Sequence, residues 1–149
     1  MTSTRVAALR MLSRRDYTAF ELREKLLAKE HTPEHITAAL ESLAADRLLD
    51  DRRVAVTFVR VASTLKGRGR LRIARELEAR GLATATIREA LETLPAEDEE
   101  ASIRRFLARK RLPPRLTAPD HRRLFAQLIR RGFSADVIAR VIREPRDLE

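Results

Sequence analysis

The sequence predicts an all-α protein of three tandem three-helix repeats, about nine helices forming an elongated, curved array. Three observations carry this: a helix-favouring composition, an internal period of 51 residues, and helix punctuation that recurs with it. Hydrophobic residues are 44% and charged residues 36% of 149, with only four Gly and six Pro. Such Ala-, Leu-, Arg- and Glu-rich mixtures favour helix because these side chains lose little freedom in it. The period appears on self-comparison: Leu22, Leu26, Lys29, Ile36 and Leu40 are matched 51 positions on by Ile73, Leu77, Arg80, Ile87 and Leu91. The same step leads next to Leu124, Leu128, Arg131, Ile138 and Ile142, and aligns Gly81 with Gly132 and Leu82 with Phe133. A fixed period of this size marks stacked helical units, each too small to bury its own apolar face.

Taken in order, the first repeat spans about 4–49, the second about 50–95 and the third about 96–145, in one domain covering 1–149. The first helix of each is expected at Thr4 to Arg14, Asp51 to Leu65 and Glu97 to Lys110. Thr18 with Glu21 reads as a capping box opening the second helix of repeat one, and Thr32 before Pro33 as the N-cap of the third. Lys66, Gly67, Arg68, Gly69 and Arg70 read as a basic, flexible connector. Gly81 and Gly132 stand where a helix end takes a left-handed residue, and Thr84 and Ser134 can cap the next helix. The acids Glu97 to Glu100 suit the positive end of a helix, Lys110 and Arg111 its negative end. Pro113 and Pro114 then break the chain, and Thr117 with Asp120 repeats the box.

Composition also bounds function. Without cysteine there is no disulfide framework, thiolate metal site or thiol nucleophile, which fits a reducing, cytoplasmic setting. No stretch reaches the roughly 18 uncharged apolar residues of a membrane helix. No phosphate-cradling glycine loop or Ser-His-Asp set is present, so the chain reads as non-enzymatic, with no cofactor. His31 and His35 are four residues apart, but a helix starting at Thr32 leaves His31 outside it, so no metal site is expected. Phe20, Phe58, Phe106, Phe125, Phe133 and Tyr17 read as packing groups rather than base-stacking platforms.

The net charge of +9 is uneven: residues 1–50 carry eight bases and eight acids, 51–100 ten and nine, and 101–149 thirteen and five. Between 101 and 131 ten bases face the single acid Asp120, too lopsided for ion pairing along a helix to absorb. The candidate binding surface is therefore Lys66, Arg68, Arg70, Arg72 and Arg75, then Arg104, Arg105, Arg109, Lys110, Arg111 and Arg115, then Arg122, Arg123, Arg130 and Arg131. Such a surface suits an acidic or polyanionic partner.

Arranged this way, the sequence resembles the RecX family across nearly its whole length. The carriers are Leu12, Arg15, Thr18, Glu21, Leu22, Lys25 and Leu26; the junction Leu48, Leu49, Asp50, Asp51; Gly69, Ile73, Glu76, Leu77, Gly81 and Leu82; and the run Leu128 to Ser134. Glu30 departs from it, standing where such proteins usually have a turn glycine, and Asp46-Arg47 precedes the junction without one. Both put the local turn geometry in question, since a side chain is strained at positive φ. The resemblance implies a monomeric regulator that lodges on RecA recombinase filaments, limiting strand exchange and ATP turnover, with single- or double-stranded DNA as a further partner. The alternative is a direct DNA-binding helical module gripping phosphates.

Overall fold

The computed structural model describes residues 3–143, and among these it has nine helices and no strand. They group in threes: α1 (Thr4–Leu12), α2 (Ala19–Ala28) and α3 (Pro33–Ala45); α4 (Asp51–Thr64), α5 (Arg70–Ala79) and α6 (Thr84–Glu92); α7 (Asp98–Arg109), α8 (Ala118–Arg130) and α9 (Ala135–Arg143). The period survives into the boundaries, since α5 starts and ends 51 residues after α2, and α3, α6 and α9 begin at residues 33, 84 and 135. The expected end of repeat three, near residue 145, lies outside the described residues.

The caps explain why the helices start where they do. Thr18 Oγ1 accepts from the Glu21 amide while the Glu21 carboxylate accepts from the Thr18 amide, and Thr117 with Asp120 does the same for α8. Thr32 accepts from the His35 amide and Ser134 from that of Val137. Two assignments are corrected. Thr84 is the first residue of α6 rather than its cap, because the Ala83 carbonyl already accepts the Ile87 amide. Arg70 belongs to α5 and not to the connector, its amide capped by Glu99 Oε1 at 2.8 Å. Asp51 caps α2 likewise, at the Ala19 amide. In both cases an acid from the first turn of the next repeat answers the positive end of the preceding repeat's second helix.

The turn after each second helix has one backbone conformation in all three repeats: φ is +67° at Glu30, +78° at Gly81 and +98° at Gly132. Arg47 is also left-handed, at +59°. The glycine-less turns therefore keep the left-handed geometry and bear its strain. Relieving about 1–2 kcal/mol of strain outweighs the entropy a glycine adds to the unfolded chain. Glu30→Gly should accordingly raise stability by up to about 1 kcal/mol in urea melts, whereas Glu30→Ala should leave it unchanged.

The chain divides into two compact units, one drawn from Met1–Thr57 and Leu77–Ala90, the other from Phe58–Glu76 and Leu91–Glu149. The first is centred on Ala8, Met11, Leu22, Leu26, Ile36, Leu40, Leu43 and Leu49, and the second on Ile103, Leu128, Phe133, Ile138 and Val141. Leu26, Leu77 and Leu128, equivalent in the repeat, are all fully buried. Burying such side chains is the main favourable contribution to folding.

Each unit contains one joint in which the start of a second helix meets the end of the next repeat's second helix. In the first unit Thr18 Oγ1 donates to the Arg80 carbonyl at 2.7 Å, and Phe20 lies over Gly81, where a β-carbon would fall 2.2 Å from the ring. In the second the same repeat positions are Gly69 and Arg131: the Gly69 amide donates to the Arg131 carbonyl at 2.8 Å, and Leu71 to that of Gly132. The first joint is locked by Arg80, whose guanidinium grips both oxygens of Glu21. Burial pushes the Glu21 carboxyl up, but hydrogen bonds from Arg80 and the Thr18 amide, with the charges of Arg80 and Arg15, outweigh it and hold the group below its ordinary 4.5. A depressed carboxylate stabilises the fold above its unfolded pKa and loses that contribution as pH falls through the folded value. Wild type should therefore melt above Glu21→Gln at neutral pH, and the gap should close on acidification from about pH 4.5 downward.

Candidate nucleic-acid and partner interface

Repeat three carries the excess charge, and its helices explain how the charge is displayed. α7 begins with Asp98, Glu99 and Glu100 and ends at Arg109, with Lys110 as its cap in an extended conformation. On this helix Ser102, Arg105, Phe106, Arg109 and Lys110 have the i, i+3, i+4, i+7, i+8 pattern of a single face. That face borders a cleft of about 220 Å³ in the second unit, bounded otherwise by Thr64, Leu65, Lys66, Gly67 and Arg131. Five of these ten residues are cations and none is an acid. Phe106 organises two of them, with the Arg131 guanidinium 4.6 Å and the Lys110 ammonium 5.0 Å from its ring centre. Lys110 also donates to Gln127 Oε1 at 2.6 Å, and Arg105 to Ser102 Oγ at 3.0 Å.

The repeat explains why Arg131 is available. Its equivalent, Arg80, is bound by Glu21, but 51 residues after Glu21 stands Arg72, so the second joint offers a cation where the first offers a carboxylate. Arg72 turns instead to Glu76 on its own helix, at 3.0 Å.

The other predicted cations divide sharply. Arg68 is paired with Glu76 at 2.6 Å, and the Arg70 guanidinium donates to the carbonyls of Leu91, Leu94 and Pro95 at the end of α6 and beyond it. Within the Lys66 to Arg80 segment Arg68, Arg72 and Arg80 are paired with carboxylates and Arg70 with carbonyls, while Lys66 and Arg75 are exposed. Arg104 pairs with Glu100, and Arg123 sits 3.8 Å from Asp120, whose carboxyl the Thr117 amide and hydroxyl hold below the usual range. Arg105, Arg109, Arg111, Arg115, Arg122 and Arg130 are exposed and form no ion pair with a carboxylate among the described residues. Phe106 packs against the second core as expected, and its second role under Arg131 and Lys110 was missed at the sequence level; the Phe106–Lys110 spacing was the available signal. Elsewhere, His31 lies outside α3 as expected, its Nδ1 2.9 Å from Thr4 Oγ1, and Tyr17 packs on the first core under Arg15 and Lys25.

Comparison with known proteins decides the family. Residues 5–43 match the model of the first three-helix domain of RecX, and residues 50–91 that of the second. The chain belongs to the RecX family. The regulatory protein RecX of Halorhodospira halophila is 40% identical over 139 residues, covering 91% of this chain and 84% of that protein. That of Chromobacterium violaceum is 38% identical over 142 residues, covering 94% and 89%. The crystal structure of RecX from Lactobacillus salivarius superposes with a TM-score of 0.81 at 20% identity, covering 93% of this chain and 92% of that one, and so shares the fold. These RecX relatives are named as regulatory proteins. Among the described residues no helix of this RecX-family chain is long and apolar enough to cross a membrane.

Proposed function

We propose that this protein is a non-enzymatic regulator that binds RecA recombinase filaments and restrains strand exchange and ATP turnover through the cations of its third repeat. The carrying observation is that Arg105, Arg109, Arg111, Arg115, Arg122 and Arg130 are exposed without carboxylate partners among the described residues, so their charge is open to an acidic partner. Uncommitted arginines steer and orient an acidic partner, whereas those already spent on internal pairs do not. The resemblance to the RecX family supports a RecA filament as the partner, and direct binding to DNA phosphates is the competing reading.

Charge reversal at exposed positions without carboxylate partners tests this. Arg105→Glu/Arg109→Glu should abolish inhibition of filament ATP turnover, while Arg10→Glu/Arg14→Glu, with the same charge change on exposed positions of the balanced first repeat, should retain it. Arg5 is left out of that control because it holds Asp46 and Ser42. Equal loss in both variants, with unchanged circular dichroism and melting, would mean that net charge alone governs binding. Inhibition that disappears at the salt concentration releasing free DNA would favour the phosphate-gripping alternative.

A further inference from the structure

The cleft beside α7 differs from an ordinary basic surface in being concave, compact and free of acids. Lys66, Arg105, Arg109, Lys110 and Arg131 all border about 220 Å³ of space, and none of them pairs with a carboxylate among the described residues. A cleft lined by one sign of charge against low-dielectric walls concentrates counter-ions of the opposite sign, and here Phe106 and Leu65 supply apolar wall. Two of the cations are also pre-positioned. Arg131 and Lys110 are held on Phe106, so less side-chain freedom is lost when they meet an anion.

The backbone adds a donor. The amides of Lys66 and Arg68 are used by the Val61 and Ala62 carbonyls, but the Gly67 amide between them, at φ +62°, has no partner among the described residues. A left-handed residue with an uncommitted amide is the kind of turn that cradles phosphate oxygens. Thr64 and Ser102 also border the cleft.

We propose that this cleft is a polyphosphate site, taking the di- or triphosphate of a nucleotide. Charge decides between phosphate classes. A phosphodiester brings one negative charge per unit of an extended strand, and an isolated phosphomonoester about −1.5 to −2. Five cations around so small a volume suit linked phosphates, which stack several charges within a few ångströms, better than either. Leu65, 78% exposed at the rim, offers the apolar surface on which a nucleoside can rest. The assignment does not rest on the filament reading, although Arg105 and Arg109 belong to both surfaces.

Titration calorimetry with pyrophosphate, ATP and a single-stranded oligonucleotide on the full chain tests the assignment. Pyrophosphate and ATP should bind competitively at one site. Lys66→Gln/Arg109→Gln should weaken both about tenfold or more, while Arg52→Gln/Arg60→Gln, exposed on α4, should weaken neither. Leu65→Ser should weaken ATP alone, separating a nucleotide from free pyrophosphate. Binding of neither anion, equal loss in the cleft and α4 variants, or pyrophosphate and ATP that bind without competing would each overturn the proposal. Cleft variants that lose pyrophosphate but still inhibit filaments would leave the site standing and remove Arg109 from the filament surface. The reverse pattern would do the opposite.

Discussion

Leu77→Ala should lower stability by about 2–5 kcal/mol, the range for deleting a fully buried leucine and leaving a cavity that its surroundings fill only in part. Leu26→Ala and Leu128→Ala test the same repeat position in the first and third repeats, where burial is equally complete. Leu77 is expected to be the most costly of the three. Its helix, α5, contributes residues to both compact units, so a cavity there weakens an element that each unit uses, and central repeats lose more than terminal ones. Denaturant midpoints, with the slope checked for constancy, measure all three. An unchanged midpoint in Leu77→Ala would be incompatible with the buried repeat position.

Gly132→Val should be at least as damaging, for two reasons that add. At φ +98° a β-branched residue is strained by about 1–2 kcal/mol. A β-carbon at this position would also lie 2.2 Å from Arg72 Cβ and 2.5 Å from the Arg72 backbone nitrogen, and a backbone atom cannot swing aside as a side-chain tip can. A total loss of about 3 kcal/mol or more is expected, with the Gly69–Arg131 hydrogen bond the first contact disturbed. Gly67→Ala separates the two contributions. Gly67 has φ +62°, but its added β-carbon would meet only Arg131 Nη1, at an ordinary 3.5 Å, so that variant carries the backbone strain without the collision. Equal losses in Gly132→Ala and Gly67→Ala would show that close packing at the second joint contributes nothing.

Family resemblance pointed to glycine at position 30, and that question has a physical answer in the turn. Glu30, Gly81 and Gly132 share one left-handed conformation because helix-end hydrogen bonds impose it: the His31, Leu82 and Phe133 amides return to the Leu26, Leu77 and Leu128 carbonyls. The turn is set by its closing bonds, and the residue type adjusts only how much strain it carries.

The sequence by itself determined the helices, their grouping in threes and the apolar repeat positions, such as Leu26, Leu77 and Leu128, that become buried. All of these rest on short-range rules: the spacing of Leu22, Leu26 and Ile36, the boxes at Thr18 and Thr117, and the break at Pro113 and Pro114. Only the tertiary structure decided which cations are free. Arg70 reaches carbonyls more than twenty positions away, Arg80 meets Glu21 across 59 positions, and Arg131 is released because its repeat-equivalent partner is Arg72. A guanidinium's partner depends on which backbone or carboxylate the packed helices bring beside it, and local spacing carries no information about that. Counting therefore placed the charge in the third repeat, while packing divided it between arginines held by the fold and arginines left exposed without a carboxylate among the described residues.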